Sequence, residues 1–232
     1  LFFFFSFSKL DGQRRRTGAA LALGLSVTLS IAGASAQTPS KGSPGHVKAV
    51  TTAVDGEMIR ANTAMSNDWP TIGLDYAETR FSKLSQITTD NVRNLGLAWS
   101  YPLESSRGVE ATPLVVDGIM YVTASWSVVH AIDARSGKRL WSYDPKVDKE
   151  KGYKGCCDVV NRGVALWKGK VFVGVYDGRL VALDAVTGAI AWEKDTLIDK
   201  EHSYTITGAP RVFNGKVVIG NGGAEYGARG YV

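Results

Sequence analysis

Cysteine, histidine and methionine are scarce in this chain, numbering two, three and three among 232 residues. His46, His130 and His202 fall at no metal-ligand spacing and read as structural or exposed side chains. The two cysteines, Cys156 and Cys157, are neighbours. No Cys-x-x-Cys-His haem site can therefore lie in this stretch. A bond between neighbours also closes almost no loop, so it would be a poor general staple. The apolar run from Ala19 to Ile31 is short for a membrane span and ends in small residues. Asn67-Asp68-Trp69 carries Trp at its third position and is no glycosylation acceptor. Charge of one sign is lacking too. The formal net charge of +5 owes much to Lys9, Arg14, Arg15 and Arg16, set against Asp11; residues 37–232 hold 23 basic and 21 acidic residues, a net +2. Nothing in that balance suggests a nucleic-acid surface.

What is present is globular and rich in turns: 44% hydrophobic residues, 10% aromatic and 26 glycines. Arg14-Arg15-Arg16, the apolar run and Ala32-Gly-Ala-Ser-Ala36 have the layout of a secretory signal, with Gln37 as the expected mature start. Residues 1–36 are thus expected to be upstream residues plus a signal peptide, and the mature chain to be periplasmic without a transmembrane segment. Residues 37–88 read as a linker and N-terminal arm. Residues 37–48, with Pro39 to Gly45, read as a flexible linker, residues 49–66 as one short helix, and Asn67-Asp68-Trp69-Pro70 as its end.

From residue 89 onward the chain repeats. Ala131-Ile-Asp133-Ala-Arg-Ser-Gly137-Lys-Arg-Leu-Trp141 recurs 51 residues later as Ala182-Leu-Asp184-Ala-Val-Thr-Gly188-Ala-Ile-Ala-Trp192. Gly118, inside Pro113-Leu-Val-Val-Asp-Gly-Ile-Met-Tyr-Val122, recurs as Gly169 at the same offset and as Gly215 after 46 more residues. Each unit reads as four strands joined by tight turns, the last carrying Trp. That pattern, at a period of roughly 40–50 residues, predicts an all-β protein made of β-propeller blades. The repeated Trp141 and Trp192 would dock one blade on the next, and Trp99 would end an earlier, incomplete unit. Since a propeller usually closes with about four blades or more, residues 89–232 are expected to be the first blades of a propeller truncated inside a blade.

Several polar residues share one topological position, beside the innermost strand of a unit: Glu110, then Cys156, Cys157 and Arg162, then Thr207. They would converge on the propeller axis. Asn221-Gly-Gly-Ala-Glu225 adds two glycines that let a flat ligand approach the backbone, and a carboxylate suited to a hard cation such as calcium. Blander readings exist. Glu110 and Arg162 could form a surface ion pair, Thr207 could end a strand, and Gly222-Gly223 could make a plain turn. Cys156 and Cys157 could be two buried thiols. They could instead be bonded in a strained ring of the kind kept at ligand clamps, and an oxidising compartment favours that reading.

Four motifs, in order, resemble the pyrroloquinoline-quinone (PQQ) dependent alcohol dehydrogenases. They are Glu110-Ala-Thr-Pro-Leu-Val-Val, Gly155-Cys-Cys-Asp-x-Val-x-Arg162-Gly, Thr205-Ile-Thr-Gly-Ala-Pro210 and Gly220-Asn-Gly-Gly-Ala-Glu225-x-Gly-x-Arg-Gly230. Trp69 to Leu84, with Tyr76-Ala-Glu-Thr-Arg80-Phe-Ser, resembles their N-terminal region. The resemblance implies an eight-bladed quinoprotein propeller with tryptophan-docking repeats. It implies that Cys156 and Cys157 form a vicinal disulfide against one face of PQQ. Glu110, Arg162 and Thr207 would hydrogen-bond the cofactor, Gly223 and Ala224 would contact it through the backbone, and Glu225 would bind calcium as a metal ligand. The implied activity is oxidation of a small primary alcohol to an aldehyde, with cytochrome c or a haem domain as electron acceptor. No catalytic residue is expected within this chain; the general-base aspartate and the other metal ligands are expected past Val232, leaving the chain alone inactive. The alternative is a cofactor-free envelope propeller scaffold, which would share the repeats but have no use for the axial polar set.

Overall fold

The computed structural model describes residues 2–6 and 38–232. The secretory signal read at Arg14 to Ala36 lies outside the described residues. Among the described residues no helix is long and apolar enough to cross a membrane.

The arm forms two helices where one was expected. α1 (Pro44–Thr52) begins inside the stretch read as linker, because Ser43 caps it through its hydroxyl and Pro44 suits a first helical position. α2 (Gly56–Asn62) starts afresh because one Asp55 carboxylate oxygen accepts the amides of Glu57 and Met58, each at 3.0 Å. Val47, Val54 and Ile59 then pack into the main core. Beyond the helices, the Asn62 side chain bonds both backbone groups of Asp68, and Trp69 pairs antiparallel with Val115.

The strands run β1 (Phe2–Ser6), β2 (Gly96–Tyr101), β3 (Leu114–Val116), β4 (Ile119–Thr123), β5 (Val129–Asp133), β6 (Lys138–Tyr143), β7 (Ala165–Trp167), β8 (Lys170–Gly174), β9 (Arg179–Asp184), β10 (Ile190–Asp195), β11 (Arg211–Phe213) and β12 (Lys216–Val218). β3 to β6 and β7 to β10 are two four-stranded antiparallel meanders, each hydrogen-bonded in chain order. β11 and β12 open a third sheet, and β1 pairs with β2. Two-residue turns at Asp117-Gly118, Lys168-Gly169 and Asn214-Gly215 join the first two strands of each sheet, with positive φ at both positions. Such turns match the natural twist of a hairpin.

The two four-stranded sheets bury both faces of their central strands, and β4 is buried along its whole length. Met120 and Val122 face Tyr101 and Leu103 beside β2, whereas Ile119 and Tyr121 face Val171, Val181 and Leu183 of the second sheet. Ala165, Phe172 and Ala182 meet Val212 of the third sheet in turn. Stacked four-stranded meanders that share faces in this way are successive blades of a β-propeller. Trp141 is 8% exposed at the first junction, and its indole N–H donates to the Ala185 carbonyl at 3.1 Å. Trp99 repeats the contact on Ala134 at 2.9 Å, so β2 is an outer strand of the preceding unit.

Candidate cofactor site

The polar candidates sit on the segments that lead into the innermost strands β3, β7 and β11. These segments are tied in a row: Thr112 N–H donates to the Arg162 carbonyl at 3.2 Å, and Arg162 N–H donates to the Thr207 carbonyl at 2.8 Å. The side chains follow the backbone. One Arg162 terminal nitrogen lies 2.8 Å from the Glu110 carboxylate, and the other donates to the Thr207 hydroxyl at 2.8 Å. A single guanidinium therefore bridges an acid and a hydroxyl from its two neighbouring blades. Glu110 is exposed and Arg162 half-buried, so the row presents its polar atoms on an open surface.

Cys156 and Cys157 are bonded to each other and exposed. The loop they occupy is braced from below. Asn161 is 1% exposed; its side chain donates to the Ser127 hydroxyl and the Gly174 carbonyl and accepts the Gly163 amide. Tyr176 donates its hydroxyl to the Gly152 carbonyl at 2.8 Å. Asp158, directly after the disulfide, reaches the neighbouring loop. It accepts the Gly108 amide at 2.9 Å and its own neighbour Val159 at 2.8 Å, and it pairs with Arg107. Those two amides and the guanidinium hold its carboxyl down at about 2, the Gly108 bond contributing most.

The glycine loop joins the row by a backbone bridge, Gly222 N–H donating to the Thr205 carbonyl at 2.7 Å. Gly223 is buried with φ +124°, and a Cβ there would run into the Ser203 carbonyl, so only glycine permits the approach. Ala224 and Glu225 follow on an exposed turn. Glu225 has no ion-pair partner among the described residues, and no group of three or more His, Cys, Asp or Glu side chains there could hold a metal. The structure thus joins Glu110, Arg162 and Thr207 by direct side-chain contact. It attaches the disulfide through Asp158, and Gly223 to Glu225 through backbone only. A separate cavity of about 300 Å³ beside the arm, lined among others by Ile72, Tyr76, Leu166 and Phe213, contains none of these residues.

Sequence reasoning gave no role to Asp158, Arg107 or Asn161. Asp158 and Asn161 stand inside the cysteine motif, but their partners Arg107, Gly108 and Ser127 come from the preceding repeat unit, so only the stacking of blades reveals the contacts.

The sequence profile described as the PQQ glucose/ethanol/alcohol dehydrogenase β-propeller domain matches residues 69–229. The chain is 64% identical over 208 residues to the quinohemoprotein alcohol dehydrogenase of Comamonas testosteroni, covering 90% of this chain and 29% of that protein. It is 70% identical over 169 residues to the 1-butanol dehydrogenase (cytochrome c) of Thauera butanivorans, covering 73% of this chain and 24% of that protein. The crystal structure of the Comamonas testosteroni enzyme superposes with a TM-score of 0.79 at 68% identity, over 81% of this chain and 28% of that one. The chain thus spans less than a third of the length of these relatives.

Proposed function

This chain belongs to the PQQ-dependent glucose, ethanol and alcohol dehydrogenase family by its β-propeller domain, and from that premise we propose that residues 110–225 supply part of a PQQ site for the oxidation of primary alcohols to aldehydes. The observation that carries the reading is the Arg162 bridge, which gathers donors and acceptors from three blades on one open surface. The donor set suits a flat, carboxylate-bearing quinone. Arg162 offers a planar cationic fork, a good match for carboxylates. Thr207 adds a hydroxyl, Glu110 an acceptor, and the exposed Cys156–Cys157 disulfide an apolar surface for a ring. Gly223 and Ala224 give close backbone approach.

When bound, PQQ supplies the two-electron acceptor for hydride from the alcohol. The residues of this chain orient it. Arg162, held between Glu110 and Thr207, fixes where a carboxylate or carbonyl oxygen can sit, and the disulfide limits the ring's position from one side. Glu225 would be one ligand of a calcium ion, with its other ligands drawn from outside this chain's site residues. None of these residues is assigned to take the alcohol proton. A small primary alcohol is the proposed substrate, cytochrome c or a haem domain the electron acceptor, and the periplasm the compartment.

The test is dye-linked turnover of ethanol and 1-butanol by the full-length protein, with and without added PQQ and calcium. Turnover that requires PQQ is expected from the full-length protein, and none from the isolated 232-residue chain. PQQ-independent turnover, or none under any loading condition, would overturn the reading.

A further inference from the structure

Gly108 is held on both sides. Its amide donates to Asp158 at 2.9 Å, and its carbonyl accepts the Ser125 hydroxyl at 2.9 Å. Residues 104–110 are otherwise exposed and lack regular secondary structure, and they end at Glu110. Arg107, one residue earlier, pairs with Asp158 and lies over the Trp126 ring at 5.6 Å. Asp158 is adjacent to Cys157 and has a left-handed backbone, φ +69°, which aspartate and asparagine tolerate better than most residues. One carboxylate therefore ties the Glu110 loop of one blade to the disulfide loop of the next.

We infer that Asp158 is a positioning residue: it clamps the Glu110 loop against the Cys156–Cys157 loop, and so sets the spacing between the acid and the disulfide. The inference deepens the proposed PQQ site and rests on that reading for its consequence, though not for the clamp itself. Without Asp158 the loop would keep its Ser125 bonds and the Glu110–Arg162 pair, and so its fold, while Glu110 sampled more positions. The cost would then appear in cofactor affinity through Glu110, not in stability alone.

The test uses the full-length protein and the variants Asp158→Asn, Arg107→Ala, Glu110→Gln and the double variant D158N/E110Q. Asn tolerates the same backbone, but it loses the charge and turns one acceptor into a donor. In the apoprotein, hydrogen exchange of peptides covering residues 104–110 is expected to speed up about tenfold in D158N, as befits loss of a charge-assisted bond. R107A, at an exposed side chain, should move the same peptides the same way by about threefold, which keeps the idea testable if D158N folds poorly. In PQQ titrations, D158N is expected to raise Kd about tenfold alone and less than about twofold in the E110Q background, because the clamp acts through Glu110. Unchanged exchange in D158N and R107A would overturn the clamp, and an equal loss of affinity in both backgrounds would overturn the positioning role. Faster exchange in a protein whose wild type binds no PQQ would sink the cofactor reading while upholding the clamp.

Discussion

His130 sits 2% exposed on β5, its Nδ1 3.1 Å from the Tyr101 hydroxyl and its Nε2 without a hydrogen-bond partner among the described residues. Burial pushes its pKa below the usual imidazole value. Arg139 adds to that shift, and the attraction of Glu104 only partly opposes it. The ring is therefore held neutral, whereas the unfolded chain takes up a proton near pH 6.5. Protonation favours the unfolded state, so this site's contribution is complete above about pH 6.5 and is lost as pH falls below it. Urea unfolding between pH 7 and pH 5 should show stability declining by at most about 1.4 kcal/mol per pH unit for this one proton. The variant His130→Gln should flatten that slope. An equal slope in both proteins would show that other groups govern the acid response. The sequence reads His130 as structural or exposed; the structure selects the buried alternative, because alternate residues of β5 face the packed surface against β2.

The repeat units were legible as elements because their turns and docking residues are chemically conspicuous. Asp184 shows why the Asp-x-x-Thr-Gly signature persists: its carboxylate accepts the amides of Val186 and Thr187 and the Thr187 hydroxyl, closing the turn. Gly188 then completes it with φ +73° beneath the Trp141 indole, where an alanine Cβ would lie 2.6 Å from the ring. Gly188→Ala combines a disfavoured backbone with a collision against a large buried plate. It should cost about 2–4 kcal/mol in denaturant unfolding; a loss under about 0.5 kcal/mol, within the surface range, would mean that the blade junction yields easily. The helices of the arm were less legible. The Asp55 cap that divides them is a local hydrogen-bond choice, and periodicity over 49–66 does not record it. The same holds for the Asp158 clamp, whose partner is 50 residues away in sequence.

At the scale of the molecule, blade stacking turns positions 110, 162 and 207 into neighbours, since each lies within one residue of the same point of a repeated unit. The repeat period predicted that convergence; the hydrogen-bond row through Thr112, Arg162 and Thr207 gives it a physical form. The arm strengthens the assembly at another point, running from Trp69 paired on β3 to Glu78, which pairs with Arg211 of β11. The central claim is that loops of three consecutive blades grip one planar cofactor, with Arg162 as the shared contact. Equilibrium titration of PQQ onto the full-length apoprotein, wild type against Arg162→Ala, tests it most directly. The account predicts saturable one-to-one binding that weakens about tenfold or more when the guanidinium is removed, as loss of charge-assisted bonds requires. Binding of equal affinity in the two proteins, or no saturable binding by the wild type, would contradict it.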